Sequence, residues 1–214
     1  MGQHPPGHRH PIFARVYGAL APLTEVGGGA RARRELLQGL RGSVVELGCG
    51  SGLNFRHYPS EVSRVTALEP EPQLRRLAHR AARRAGVRVE VLGGVAEHLP
   101  LADGSQDAVV SALVLCSVDD LAGSLKEVRR VLRPGGEFRF LEHVRGPGVG
   151  GALEDLLDPL WSRIAGGCHL NRESELEVAR VGLRVEELRE LGTTVLGVPL
   201  PGPRMLLGAA RLPL

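Results

Sequence analysis

The sequence predicts an α/β fold: one doubly wound, seven-stranded, mostly parallel sheet with helices on both faces. Three observations carry this. Between Ser43 and Glu142, short β-branched runs alternate with helix-forming stretches, the spacing of parallel strands joined by right-handed crossovers. The first run leads into Glu46-Leu47-Gly48-Cys49-Gly50-Ser51-Gly52, where glycines at alternate positions let backbone approach a flat ligand and adopt positive φ. The second run ends in an acid, Glu69, 17 residues past Gly52. At 214 residues the chain fits one domain. Residues 1–11 read as a disordered lead-in, 12–42 as a helical cap and 43–214 as the α/β domain.

Taken in order, residues 12–20 form a helix that Pro22 should end, Gly27 to Gly29 a flexible joint, and residues 31–40 a second helix stopping near Gly42. Strands are expected at 43–47, 64–68, 88–92, 107–113 and 137–142. A short helix follows the glycines through His57. The next helix has Leu74, Leu77, Ala78, Ala81, Ala82 and Ala85 on one face and Arg75, Arg76, Arg80, Arg83 and Arg84 on the other; it should end at Gly86. Another runs over 119–132, stopped by Arg133-Pro134-Gly135-Gly136. Residues 146–151 read as a loop and 152–164 as a helix interrupted at Pro159. Gly166 and Gly167 break that helix. Asn171 is placed to cap a helix through Val181. Weak strands are expected near 184–188 or 194–198, and at 205–210.

Composition excludes several classes. The net charge is only +3, and Lys126 is the single lysine, so no nucleic-acid partner is expected and the arginine run reads as a solvated helix face. Cys49, Cys116 and Cys168 are too few for a disulfide framework and point to a reducing cytoplasm. No apolar run approaches the roughly 20 residues of a membrane span, and residues 1–11 lack the apolar centre of a signal peptide. His4, His8 and His10 read as part of the lead-in, and no metal site is expected. A monomer and a dimer both fit the sequence.

In doubly wound sheets ligands sit outside the carboxyl ends of the strands, beside strand 1. The dinucleotide pattern would need glycine at position 53, where Leu53 stands, and no lysine follows the loop. The pattern therefore favours a nucleoside without a pyrophosphate. Glu46 at the base of the loop is suited to orient it or to attract an ammonium group. Glu69, followed by Pro70, can accept both ribose hydroxyls in charge-assisted bonds. Ala96-Glu97 falls beside the base, and Leu115-Cys116 forms a floor. Cys116 reads as a small wall residue rather than a nucleophile. His143 follows strand 5 on the ligand side, where a base would stand. Tyr17 is a packed aromatic or a lid.

Val44 to Gly52, Glu69-Pro70, Ala96-Glu97 through Pro100, Asp107 to Val110 and Leu132 to Gly136 together resemble the class I S-adenosylmethionine-dependent methyltransferases of the ubiquinone and menaquinone group. A narrower likeness is to thiol-methylating methyltransferase-like proteins. It rests on residues 113–118, 141–144, Leu157-Asp158-Pro159-Leu160-Trp161 and 167–173. The resemblance implies a Rossmann-like sheet of strand order 3-2-1-4-5-7-6 with strand 7 antiparallel, and S-adenosylmethionine as cofactor. Together with the strand-end reading, it leads us to expect Tyr17, Glu46, Gly48, Cys49, Gly50, Gly52, Asn54, Glu69, Pro70, Ala96, Glu97, Leu115 and Cys116 at the cofactor. Asp158, Trp161, His169 and Arg172 are assigned to the acceptor pocket and His143 to catalysis. In two places the chain departs from its relatives. Val95 stands where the broad group has an aspartate reading adenine, and the apolar N-terminal membrane segment of eukaryotic relatives is missing, which leads us to expect a soluble protein.

Methyl transfer needs a nucleophile aligned with an already activated donor. A thiol ionises near neutrality, so a small-molecule thiol is the leading acceptor, ahead of O-, N- or C-methylation of a quinone, lipid or natural product. A nucleic-acid or protein methyltransferase would want an Asn/Asp-Pro-Pro-aromatic motif where Cys116-Ser117-Val118 stands. A non-catalytic binder would have little need of the intact cofactor motifs.

Overall fold

Val44 and Val45 are both fully buried, yet they join different apolar clusters. Alternation along a strand does this only when both faces of its sheet are covered. In the computed structural model, which describes residues 11–192, 194–195, 198–199 and 204–214, that strand is β1 (Gly42–Leu47). It lies between two parallel neighbours, β2 (Val62–Leu68) and β4 (Gln106–Ala112). β3 (Val89–Leu92) extends the sheet beyond β2, and β5 (Leu132–Val144) pairs parallel to β4. β6 (Arg184–Leu191) closes the far edge. The short strands β7 (Thr194–Val195) and β8 (Val198–Pro199) form a separate ladder, and β9 (Arg204–Arg211) inserts antiparallel between β5 and β6. The order β3-β2-β1-β4-β5-β9-β6 is the one the resemblance implies, with the small ladder set aside.

Helices α1 (Pro11–Thr24), α2 (Ala30–Leu37), α3 (Pro72–Ala82), α4 (Leu121–Val131), α5 (Gly148–Ile164) and α6 (Ser174–Arg180) complete the chain. Leu36 and Leu37 of α2 and Ala78 of α3 pack with Val44, Val65 and Val110 on one face. Leu125 and Val128 of α4 and Val178 of α6 pack with Val45, Val109 and Phe138 on the other. The arginine-faced helix has the expected faces but ends at Ala82, short of the expected stop at Gly86. Leu74 and Ala78 are buried while Arg76, Arg80, Arg83 and Arg84 are exposed.

Several local expectations are corrected. Pro22 does not end α1, which reaches Thr24. The glycines at 27–29 belong to a π-helical turn, Glu25–Gly29, that runs straight into α2. Glu25 is anchored there by the Arg33 guanidinium at 3.0 Å. After the glycine loop only a 3-10 turn forms, Phe55–His57. Arg133-Pro134-Gly135-Gly136 stops α4 but lies within the span of β5, where the register with β4 shifts between Gln106 and Ala108. α5 starts at Gly148 and runs unbroken through Pro159, since a proline removes only one hydrogen bond of the ladder. Asn171 caps nothing: α6 begins after Glu173. Residues 1–10 of the expected lead-in lie outside the described residues, and Pro11 already belongs to α1.

The chain turns from β1 outward to β2 and β3 and then returns to β4. This leaves a crevice at the carboxyl ends of β1 and β4, where the topology reverses. Among the described residues, no helix is long and apolar enough to cross a membrane.

Candidate functional site

The crevice opens into a cavity of about 340 Å³. One end is formed by Gly48, Gly50, Glu69, Pro70 and Glu71, and the other by Cys116, His143, Trp161 and Cys168. Between them run Val95-Ala96-Glu97 and the loop after β4, with Phe13, Ala14 and Tyr17 of α1 lining a further wall.

The glycine loop needs its glycines for their positive φ, and at Gly48 and Gly52 also because a side chain has no room. Gly48, Gly50 and Gly52 have φ of 50°, 56° and 82°. A Cβ at Gly52 would stand 2.6 Å from Phe55 and 2.9 Å from Ala81. Glu69 fastens the loop to the end of β2. Its Oε2 accepts from the Gly50 amide at 2.8 Å, and its Oε1 accepts from the Glu71 amide at 2.9 Å. Burial pushes the Glu69 carboxyl up, and these two amide bonds work against the shift. Each oxygen keeps further acceptor capacity toward the cavity. Glu71, also on the wall, keeps a buried Oε2 without a partner. Tyr17 stacks on Phe13 with ring centroids 5.5 Å apart and lies over Gly50. Burial raises its phenol, against the neighbouring Arg33.

Glu46, Cys49, Gly52, Asn54 and Leu115 lie behind the wall and do not line the cavity. Glu46 is buried and faces inward, where its two oxygens accept from Asn54 Nδ2 and Tyr58 OH, each at 2.8 Å. Asn54 Oδ1 accepts from Arg33 at 2.8 Å. A buried chain of polar groups, Glu25–Arg33–Asn54–Glu46–Tyr58, thus props the loop from beneath. Of the two expectations for Glu46, orienting the loop fits this placement and attracting an ammonium does not. Arg33, Glu25 and Tyr58 were not singled out from the sequence. They meet only through tertiary contact, and only the burial of an arginine on an amphipathic helix could have signalled them.

Burial raises the Glu46 carboxyl from 4.5 to about 7, against the hydrogen bonds from Tyr58 and Asn54 and the charge of Arg33. A folded-state pKa raised above the unfolded value means the native state holds the extra proton between these limits. Stability is therefore greatest below pH 4.5 with respect to this group and is lost as pH rises through about 7. The Glu46→Gln variant keeps the acceptor for Asn54 and removes the titration. Its urea midpoint should decline less than that of the parent protein between pH 5 and 8, by an amount equivalent to about 2–3 kcal/mol. Parallel declines would sink the assignment.

The remaining expected residues divide in the same way. Glu97 lines the cavity, but its Oε1 accepts from the amides of Asp119 at 2.9 Å and Asp120 at 3.3 Å, tying two loops together. Asp120 caps α4 through the Gly123 amide. Asp158 sits within α5 and accepts from the Leu170 amide at 2.7 Å and from His169 at 2.8 Å. The His169 amide donates to the Cys116 carbonyl at 2.7 Å. Arg172 donates to the carbonyls of Leu115 and Val118, both at 2.6 Å. Asp158, His169 and Arg172 therefore stand outside the cavity: Asp158 ties α5 to the segment after it, and the His169 amide and Arg172 pin that segment to the loop after β4. Trp161 alone of that set lines it.

Glu142 is a further buried acid. Its Oε1 accepts from Ser111 Oγ at 2.6 Å and the Val114 amide at 3.0 Å, and its Oε2 accepts from the Cys116 amide at 3.4 Å. It fixes a loop whose first residue, Leu113, is left-handed at φ 62°, a conformation that costs energy in a non-glycine residue. At that end of the cavity Cys168 Sγ is 3.3 Å from Cys116 Sγ and 3.8 Å from His143 Nδ1. Ionisation falls first on Cys168, lowered by Cys116 and His143, while Cys116 is pushed up by its partner and by burial.

Residues 45–140 match the family described as a methyltransferase domain. The chain thus carries a methyltransferase domain, and its sheet has the class I methyltransferase fold. Over 155 residues it is 41% identical to the thiol S-methyltransferase TMT1B of Homo sapiens, covering 66% of this chain and 63% of that protein. It is 39% identical to the thiol S-methyltransferase TMT1A of Homo sapiens, covering 70% and 63%. A malonyl-[acyl-carrier protein] O-methyltransferase of Serratia marcescens is 31% identical, covering 70% and 56%. The chain thus spans less than two thirds of the length of these relatives. Among solved structures, the geranyl diphosphate C-methyltransferase of Streptomyces coelicolor superposes with a TM-score of 0.65 at 19% identity, over 86% of this chain and 77% of that one. The [4+2]-cyclase SpnF superposes at 0.73 and 16% identity, over 94% and 95%. That the same fold houses a cyclase shows why the site, and not the fold, has to carry an activity.

Proposed function

We propose that the protein transfers a methyl group from S-adenosylmethionine to a small-molecule thiol. The observation that carries this reading is one continuous cavity that joins the glycine loop and Glu69 to the Cys116–His143–Cys168 end. The residues present fit a nucleoside-bearing sulfonium. Gly48 and Gly50 bring bare backbone to the wall, Glu69 keeps acceptor capacity for ribose hydroxyls, and the unpartnered Glu71 oxygen adds a second acceptor. Val95, Ala96 and Glu97 would frame the base, with Val95 giving backbone contacts alone. Tyr17 would close the site over Gly50, so that residues 12–42 act as a cap on a transferase domain at 43–214. Bound S-adenosylmethionine supplies an electrophilic methyl group on a positively charged sulfur.

The chain's own residues have little bond chemistry left to perform. They must hold a nucleophile in line and keep water out, for which proximity is worth about 7–11 kcal/mol. His143 is placed to hold or take the acceptor's proton at Nδ1. Trp161 and Phe13 supply apolar wall that would exclude water. The thiol S-methyltransferases at about 40% identity support a thiol acceptor, and the O-methyltransferase relative supports an oxygen acceptor as the second reading. The three free cysteines suit a reducing compartment, the cytoplasm.

The test is a panel of small thiols, phenols and quinols with radiolabelled donor, alongside calorimetry with S-adenosylmethionine and its demethylated product. Binding of both and turnover of a thiol is the expected result. Turnover of phenols but of no thiol would overturn the acceptor class, and no binding of either ligand would overturn the cofactor.

A further inference from the structure

We propose that Cys116, His143 and Cys168 form a site for one zinc-class divalent ion at the acceptor end of the cavity, with a coordination position left for the acceptor thiol. The three come from separate parts of the fold: the loop after β4, the end of β5 and the segment after α5. Each is held by its own backbone. Cys116 is fixed by Glu142 and His169, His143 lies opposite Met205 in the ladder with β9, and the Cys168 amide donates to the Ala165 carbonyl. Nothing in the sheet requires two thiols and an imidazole to converge, yet all three ligand atoms lie within 4.8 Å of one another.

The distances suit a tetrahedral ion after a small adjustment. Bond lengths usual for zinc place two thiolate sulfurs about 3.8 Å apart and a sulfur and an imidazole nitrogen about 3.6 Å apart. Here the two sulfurs are 3.3 Å apart and Cys168 Sγ is 3.8 Å from His143 Nδ1, with Cys116 Sγ and His143 within 4.8 Å, so the cluster would contract around the ion. Gly166 and Gly167, both at positive φ just before Cys168, are the point where the segment can give. Two thiolates and one imidazole select a borderline-soft ion over magnesium or calcium. Two thiolates also neutralise a dication, so the site would not leave a net charge on the cavity wall. A closed structural site would need a fourth protein ligand, and among the described residues the cluster has three. Three ligands and an open position is the arrangement of a reactive zinc centre. All three residues line the cavity, so the open position would face it.

The role for the acceptor rests on the methyl-transfer reading. On coordination the acceptor thiol gives its proton to water and binds as thiolate. Its sulfur forms the new bond to the methyl carbon as the donor's carbon–sulfur bond breaks, with that electron pair passing to the donor sulfur. The neutral thioether is a poor ligand and leaves. With the ion in place, His143 is a ligand and does not act as a base.

The full chain, kept reduced with a phosphine and stripped of metal, is titrated with cobalt(II), and zinc is then competed against a chromophoric chelator. One equivalent of cobalt should give a near-ultraviolet thiolate charge-transfer band and tetrahedral visible bands. Cys168→Ser and His143→Ala should each weaken zinc by more than about 100-fold, beyond the loss typical of an outer-shell partner. Cys49→Ser, outside the cluster, should leave the bands unchanged. No thiolate band, or unchanged zinc affinity in both variants, overturns the site. Undiminished thiol methylation by metal-free protein overturns the open position. Metal bound without any affinity for S-adenosylmethionine would leave the site standing and remove the methyl-transfer reading instead.

Discussion

Replacing Glu142 by alanine is expected to lower the unfolding free energy by about 3–5 kcal/mol, a large share of the total stability of a domain of this kind. The carboxylate is fully buried at the end of β5 and accepts from the Ser111 hydroxyl and the amides of Val114 and Cys116. Removing it strands three donors away from water at about 1–3 kcal/mol each, and leaves a void. Two effects work against this sum. Burial already pushes the Glu142 carboxyl up, so the variant recovers a desolvation cost, and the loop can shift to pair some donors elsewhere. These hold the estimate to the lower part of the simple total. Glu142→Gln keeps one acceptor oxygen but turns an NH2 toward at least one donor, and should fall between the two. Urea unfolding of the three proteins decides it. If the alanine variant lost under about 1 kcal/mol, the loop after β4 would owe its shape to Arg172 and the sheet rather than to Glu142.

What could be read in the sequence divides by the range of the interaction. The alternation of strands and helices and the glycine loop depend on periodicity and on backbone that needs glycine, both written in consecutive residues, whereas the strand order came from the family resemblance. Glu69 was legible because a strand end fixes where a side chain points. Polar residues placed by tertiary contact were not legible in the same way. Asp158, His169 and Arg172 were expected at an acceptor pocket because of their type, but residue type does not give direction: Asp158 and His169 turn onto each other, and Arg172 turns onto the Leu115 and Val118 carbonyls beside Cys116. Arg33 reads as one of several helix arginines until it is found at 8% exposure between Glu25 and Asn54. Cys116 and Cys168 are 52 positions apart, and no local pattern marks two cysteines that meet across a cavity. Pro22 and Pro159 show the opposite error. Each is a strong local signal, but packing of the turns on either side outweighs one lost hydrogen bond.

Replacing Glu69 by alanine should weaken S-adenosylmethionine by about 1.5–3 kcal/mol, or roughly tenfold to a hundredfold, if its carboxylate receives ribose hydroxyls. The side chain has two jobs, and a simple loss of affinity would not separate them. It also receives the Gly50 and Glu71 amides, so its removal loosens the glycine loop whether or not it touches a ligand. The separation comes from the ligand. An analogue without the 2′-hydroxyl should bind the parent protein more weakly than S-adenosylmethionine does, because a buried carboxylate is left without a donor. In Glu69→Ala the two ligands should bind alike, since the partner of that hydroxyl is already gone. Loop loosening alone would weaken both ligands equally and preserve their ratio in the variant. Glu69→Gln adds a third point. It can keep one neutral bond to ribose and should recover part of the affinity, with the remaining deficit reflecting the charge on the acceptor. Calorimetry with two ligands and three proteins covers the cycle. Unchanged ratios across all three would remove Glu69 from the ribose and leave it only the fastening of the loop.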